Sequence, residues 1–309
     1  YQCDWSSDVC SSDLQVQKNL PAGVDPWQIS LNYIVTVMTI AGLAVLALYY
    51  YMNKNIFNEE YLTKIAEEKK SKPKKEKIKM TVVEGIKYIF SSKYLGLIAI
   101  LVTCYGVTIN LVEVTWKNQV VLQFPSKNEY AAFMGYLSTS TGIATILAIL
   151  GGSILTRKLG WKIAAMATPI VLGVTGLLFF LSMVAPELVS PIGMIFGISP
   201  LMFGVLIGLA QNVLSKSIKY ALFDPTKEMA YIPLDDVAKM RGKAAVDVVA
   251  GRFGKSGGSA IQIVFLAIFG SIGVIAPYLT FIFALMIFAW LYAVGALSKE
   301  FDKACKEQE

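Results

Sequence analysis

Residues 275–297 read IAPYLTFIFALMIFAWLYAVGAL, a run without a single charged side chain. As an α-helix it would extend about 34 Å, enough to cross a hydrocarbon core about 30 Å thick. Lipid offers no partner to a peptide N–H or C=O, so such a run must satisfy its backbone internally and is read as a transmembrane helix. Working outward, six more apolar segments of spanning length stand at 31–52, 94–116, 131–155, 163–184, 191–213 and 244–271. Segments 191–213 and 244–271 are glycine-rich and leave a buried or re-entrant reading open. The whole chain agrees. Of its 309 residues 55% are hydrophobic and 16% charged, with a mean hydropathy of +0.56, whereas soluble domains carry about 25% charge. The expected fold class is an all-α integral membrane bundle with about seven transmembrane helices.

The basic residues orient these segments. Loop 53–93 holds eleven lysines, seven of them crowded from Lys69 to Lys79. With that loop placed in the cytoplasm, Arg157, Lys158 and Lys162 also fall inside. So do Lys216, Lys219, Lys227, Lys239, Arg241 and Lys243, and the tail's Lys299, Lys303 and Lys306. Only Lys18, Lys117 and Lys127 fall outside, so 23 basic residues oppose 3, with Arg252 and Lys255 inside a segment. Every loop then obeys the positive-inside rule. The net charge of +6 is therefore topology information, and no nucleic-acid partner is expected.

Several chemistries drop out. The chain has no histidine, which removes Ser-His and Cys-His catalysis, histidine metal sites and a histidine proton relay. Cys3, Cys10, Cys104 and Cys305 show no CxxC spacing, so neither a metal site nor a disulfide framework is expected. The run GRFGKSGG at 251–258 suggests a phosphate loop, but that pattern needs a glycine five residues before Gly254, where Val249 stands. It also lies in an apolar segment rather than between a strand and a helix. Neither an enzyme nor a cofactor is expected.

The organisation follows from these runs. Residues 1–14, YQCDWSSDVCSSDL, begin without Met and lack an apolar core; they read as a non-native leader rather than a signal peptide. Residues 15–52 read as the last transmembrane helix of an N-terminal half, and 53–93 as a basic cytoplasmic linker. Within that linker, 80–93 form a short amphipathic helix at the membrane surface. Residues 94–297 form a six-helix half, and 298–309 a cytoplasmic tail. One span, a basic linker and six spans is the pattern of a two-halved transporter cut before its midpoint, with its N-terminal half missing.

Ionisable groups inside apolar segments cost about 2.5–3.5 kcal/mol at a helix centre and are functional candidates by default. Asn110, Glu113 and Lys117 share one helical face by their spacing of three and four; the alternative is an interfacial Glu–Lys pair at the outer end of a span. Asp247, Gly251 and Lys255 are spaced by four, with Arg252 beside them, leaving a net positive patch that favours an anion. The glycines Gly254, Gly257 and Gly258 could unwind the backbone there and offer N–H groups; a structural salt bridge is the other reading. Loop 214–243 carries Lys216, Lys219, Asp224, Lys227, Glu228, Asp235 and Asp236, for function or for topology alone. The polar residues Ser138 to Thr141, and Gln211 with Asn212, either line a cavity or bond between helices.

The stretches NLVEVTWKNQV at 110–120, PSKNEYAAFMG at 125–135, SKSIKYALFDPTKEMAYIPLD at 215–235 and RGKAAVDVV with GRFGKSGG across 241–258 resemble the ATP/ADP translocase family of plastids and obligate intracellular bacteria. The likeness runs from about residue 15 to 300. It implies a twelve-helix, major-facilitator-like fold in a membrane, here a bacterial inner membrane, and exchange of ADP for ATP with phosphate. It further implies that Glu113 and Lys255 matter for transport and that the site is shared between two halves. On that reading Lys255 and Arg252 bind phosphate oxygens, Glu113 pairs with a base in the empty state, Lys117 and Asn110 complete a polar wall, and Trp116 faces the adenine. The competing expectation is a proton-coupled or net importer of another nucleotide or anionic metabolite, with the proton carried by Glu113 or Asp247.

Overall fold

The computed structural model describes residues 26–55, 81–195 and 197–306. The leader 1–14 and most of the basic linker lie outside the described residues. The chain divides into two units, Tyr1–Lys79 and Met80–Glu309. The described part of the first is helix α1, Pro26–Asn55, which contains the expected segment 31–52 and is about 45 Å long by its thirty residues.

The second unit opens with α2, Val82–Ser91, the short helix expected within 80–93. Thr81 and Glu84 close a capping box: the Glu84 N–H donates to Thr81 Oγ1 at 3.3 Å, and the Thr81 N–H donates to Glu84 Oε2 at 2.8 Å. Two otherwise orphaned N–H groups are satisfied at once. Ser92 then caps α3, Lys93–Gln123, which runs seven residues beyond the expected 94–116. This helix is central, packing against α6, α9 and α10 as defined below.

Helix α4, Lys127–Val184, is 58 residues long and changes direction at Gly160, whose φ is +80°. Only glycine adopts that left-handed value cheaply, so the break falls between the expected segments 131–155 and 163–184. The expected segment 191–213 is broken in two. Helix α5, Pro186–Ile195, stops before Gly197 at φ +67°, and α6, Pro200–Ile218, restarts under a Ser199 cap with proline at its first turn. The Gly-Ile-Ser-Pro run at 197–200 is a stop-and-start signal that hydropathy alone does not register.

Helicity continues past 213, through a π turn at Lys219–Phe223 into α7, Asp224–Ala230. The Asp224 N–H reaches back to the Lys219 carbonyl, and this wider turn lets the helix absorb Pro225, which has no N–H to give. Lys216, Lys219, Asp224 and Lys227 therefore sit on a helix rather than in a loop. Helix α8, Asp236–Ala245, capped by Asp235, leads through a second π turn, Val246–Ala250, into α9, Gly251–Phe269. Gly270 at φ +79° ends α9, and α10, Ile272–Lys306, contains the 275–297 run.

No strand occurs among the described residues, and five helical stretches there are long and apolar enough to cross a membrane: Trp27–Asn55, Lys93–Gln123, Lys127–Val184, Pro200–Ala230 and Ile272–Lys306. The core of the second unit holds Trp116, Trp290, Tyr231, Phe179, Phe180 and Phe283, each less than 2% exposed. Its outer faces are apolar: Ile146, Leu147, Leu150, Phe281, Phe288 and Tyr292 are all exposed. Exposed apolar surface on this scale is what lipid contact requires.

Candidate functional site

The crossing of α3 and α9 is set by glycine. A Cβ on Gly254 would stand 2.9 Å from the Thr103 carbonyl oxygen, and one on Gly106 would stand 2.9 Å from the Gly254 Cα. Backbone therefore meets backbone, the close approach that small residues allow between membrane helices. One turn on, a Cβ on Gly258 would lie 2.8 Å from the Asn110 Cβ. The expected unwinding at Gly254, Gly257 and Gly258 does not occur: all three are helical, and Gly254 and Gly258 are spent on helix contact rather than on presenting N–H groups.

This packing registers the polar side chains. Ser259 Oγ donates to Asn110 Oδ1 at 3.2 Å, and Gln262 Nε2 donates to the Asn110 backbone oxygen at 3.2 Å and to Oδ1 at 3.3 Å. Next along the same face of α3, Glu113 pairs with Lys117 at 3.0 Å and with Lys216 of α6 at 3.6 Å. The carboxylate thus bridges two helices. Because α3 extends to Gln123, the Glu113–Lys117 pair lies well within the helix and not at its outer end.

Lys255 follows Gly254 and so stands level with Gly106, near mid-length of α3. With Arg252 three residues before it and Ser259 four after, it forms a row on one flank of α9. Arg252 and Lys255 are exposed, and among the described residues neither has a hydrogen-bond or ion-pair partner. Asp247 does not join them. The π turn at Val246–Ala250 inserts roughly one residue, about 100° of rotation, between Asp247 and Lys255. Asp247 instead pairs with Lys227 at 3.1 Å, beside Lys227–Glu228 at 3.7 Å and Lys243–Glu228 at 2.6 Å. Lys219 pairs with Asp224 at 2.7 Å and stacks over the Tyr220 ring.

Trp116 cannot face a base. It is fully buried, donates its indole N–H to the Val205 carbonyl at 2.9 Å, and fills the space over Gly208. Ser138 and Thr141 bond back to their own helix, and Gln211 and Asn212 are buried. Sequence reasoning missed Lys216 as the second partner of Glu113, Lys227 as the partner of Asp247, and Ser259 and Gln262 as the partners of Asn110. Gln262 was findable: it is a lone amide, one and two turns past Gly258 and Gly254 on a glycine stripe.

The class is an all-helical, multi-pass membrane protein with apolar outer faces and ion pairs that link its helices. The chain belongs to the TLC ATP/ADP transporter family, whose model matches residues 5–301; the match begins inside the opening stretch set aside above. It is 45% identical over 299 residues to ADP,ATP carrier protein 1 of Chlamydia pneumoniae, covering 96% of this chain and 58% of that one. Against ADP,ATP carrier protein 1, chloroplastic, of Arabidopsis thaliana it is 44% identical over 294 residues, covering 95% and 46%. ADP,ATP carrier protein 1 of Rickettsia bellii is 42% identical over 273 residues, covering 86% and 53%. The chain thus spans about half the length of the curated relatives it matches. No solved structure is a significant match.

Proposed function

We propose that this chain is the C-terminal part of a nucleotide antiporter that exchanges ATP for ADP across a membrane. The observation that carries the reading is the row Arg252, Lys255 on α9: two cations without partners among the described residues, beside a helix that holds the carboxylate Glu113. The relatives' names, ADP,ATP carrier protein, supply the substrate class. Lys255 and Arg252 take phosphate oxygens through charge-assisted hydrogen bonds. Phosphate accompanies the nucleotide in one direction.

Exchange rather than free diffusion follows from the charge balance. Lys117 and Lys216 share the single carboxylate of Glu113, while Arg252 and Lys255 on α9 have no carboxylate among the described residues, so the two helices together hold a surplus of positive charge. An empty site would have to carry that surplus of positive charge through an occluded, poorly solvated state at a cost of several kcal/mol per ion. A bound polyphosphate neutralises it and competes for Lys117 and Lys216, freeing Glu113. Rocking between inward- and outward-open forms therefore requires nucleotide on both passages. In this reading the fold is major-facilitator-like and contributes seven of twelve transmembrane helices. The two arms of α4 count as separate spans, and α8, the second π turn and α9 together supply another. The basic ends face the cytoplasm of a bacterial cell, and an N-terminal half completes the site.

The test is counter-exchange in bacteria expressing the chain joined to an N-terminal half, preloaded or not with unlabelled ADP and offered labelled ATP. Uptake that requires the preload supports the antiporter, and Lys255→Ala should lower it at least tenfold. Uptake indifferent to preload but driven by a pH gradient would replace this reading with proton-coupled import, with Glu113 as the proton carrier.

A further inference from the structure

The clamp around Asn110 decides which atoms that side chain can offer. A backbone carbonyl oxygen only accepts hydrogen bonds, so the Gln262 nitrogen, 3.2 Å from the Asn110 carbonyl, must be the donor end of its amide. That same nitrogen lies 3.3 Å from the Asn110 side-chain oxygen, which also takes the Ser259 hydroxyl at 3.2 Å. The acceptor end of Asn110 is therefore committed to α9. Its NH₂ end is turned away, and among the described residues no partner takes it. Gln262 is 7% exposed and cannot turn to other work without leaving a buried amide unsatisfied.

We infer that Asn110 is a substrate-binding residue that presents two N–H donors to the phosphate groups of the nucleotide, and that Gln262 and Ser259 are positioning residues holding it in that orientation. This rests on the nucleotide reading above and deepens it. An asparagine reads adenine by using both ends of its amide at once, accepting from the exocyclic amine and donating to the ring nitrogen. Asn110 has only its donor end left, and acceptor-only phosphate oxygens are the groups that match it. Its place agrees: Ser259 lies one turn beyond Lys255 on the same flank of α9, and Glu113 with its two lysines lies one turn further along α3.

Asn110→Asp is the informative substitution. It keeps the oxygen that Ser259 and Gln262 grip, so the helix contact survives, and it replaces the NH₂ with a second oxygen. A purely structural clamp would not notice this change. For the complete transporter in preloaded cells, KM for ATP and for ADP should rise about ten- to a hundredfold, the range for losing hydrogen bonds to a charged group. The preference between adenine and hypoxanthine nucleotides should stay unchanged. Gln262→Glu should do the same by another route: its oxygens repel the Asn110 oxygens and force the amide to flip. Ser259→Ala, which leaves Gln262 in place, should have a smaller effect. Membrane levels of each variant, measured by immunoblot, exclude a folding defect. If Asn110→Asp exchanges nucleotides with the parent's KM, the inference is overturned while the antiporter reading stands. A change in base preference with unchanged response to phosphate number would move Asn110 to the base. If the parent exchanges no nucleotide at all, it is the antiporter reading that fails.

Discussion

Placing one methyl group at Gly254 should loosen the interface on which the whole site depends. A Cβ there would meet the Thr103 carbonyl oxygen at 2.9 Å, the Gly106 Cα at 3.1 Å and the Thr103 Cα at 3.2 Å, whereas ordinary contact begins near 3.4 Å. All three obstacles are backbone, which cannot swing aside, so α9 and α3 must separate by about 0.5 Å. A gap of that size forfeits roughly a quarter or more of the dispersion energy along the contact. It also stretches the Gln262–Asn110 hydrogen bonds, already 3.2 and 3.3 Å. Overpacking of this kind costs about 1–3 kcal/mol, and a unit of this size loses about 2–4 °C per kcal/mol. Gly254→Ala should therefore lower the thermal midpoint of the detergent-purified protein by about 2–12 °C. Gly106→Ala should match it, because its Cβ meets Gly254 at 2.9 Å. The double variant should fall short of the sum, since one alanine has already opened the gap the other needs. Gly257→Ala is the control: nothing lies within 4 Å of its Cβ position, and better helix propensity should leave it neutral or stabilised. If Gly254→Ala melts with the parent, or the pair proves additive, the close glycine crossing is wrong.

Two further outcomes are expected. Gly160→Ala should destabilise by about 1–3 kcal/mol through backbone conformation alone, because φ +80° with ψ 172° is a region open essentially to glycine only while the space around it is open; circular dichroism melts of Gly160→Ala and Gly160→Asn, with asparagine no better tolerated than alanine, check this. The capping hydrogen bonds from Thr81 hold the Glu84 carboxyl below its ordinary pKa. Its stabilising contribution is therefore complete above the unfolded-state value and is lost as pH falls through the lower folded-state value. Protection factors of the α2 amides, their exchange rates relative to the intrinsic rates at each pH, should fall on acidification in the parent and be low and insensitive to pH in Glu84→Ala.

Much of the site was visible in the chain because charge in an apolar run is costly and therefore conspicuous. Glu113, Arg252 and Lys255 announce themselves that way, and Asn110 by sharing the helical face of Glu113. Their partners do not. Lys216 looked like one more lysine of a basic loop, because hydropathy fell off at 213; Pro225 would in addition end an ordinary α-helix. The structure carries the helix through both by widening one turn. Asp247 was matched with Lys255 by counting residues at 3.6 per turn, a count that a π turn spoils without leaving any mark in composition. Trp116 was drawn toward a ligand by its neighbours Glu113 and Lys117, yet its indole is spent in the core against Val205 and Gly208 of α6.

Length and apolar content by themselves determined that the chain is helical and holds stretches long and apolar enough to cross a membrane, since lipid leaves the backbone no other way to satisfy its hydrogen bonds. Glycine with serine and proline marked where helices turn and restart, because left-handed backbone and caps have strict residue preferences. Which helices meet, and which cation each carboxylate takes, only the tertiary structure decided. Those choices depend on how closely Gly106 lets Gly254 approach and on two turns of five residues in place of four. Contacts between residues more than a hundred positions apart leave no periodicity for a sequence to display.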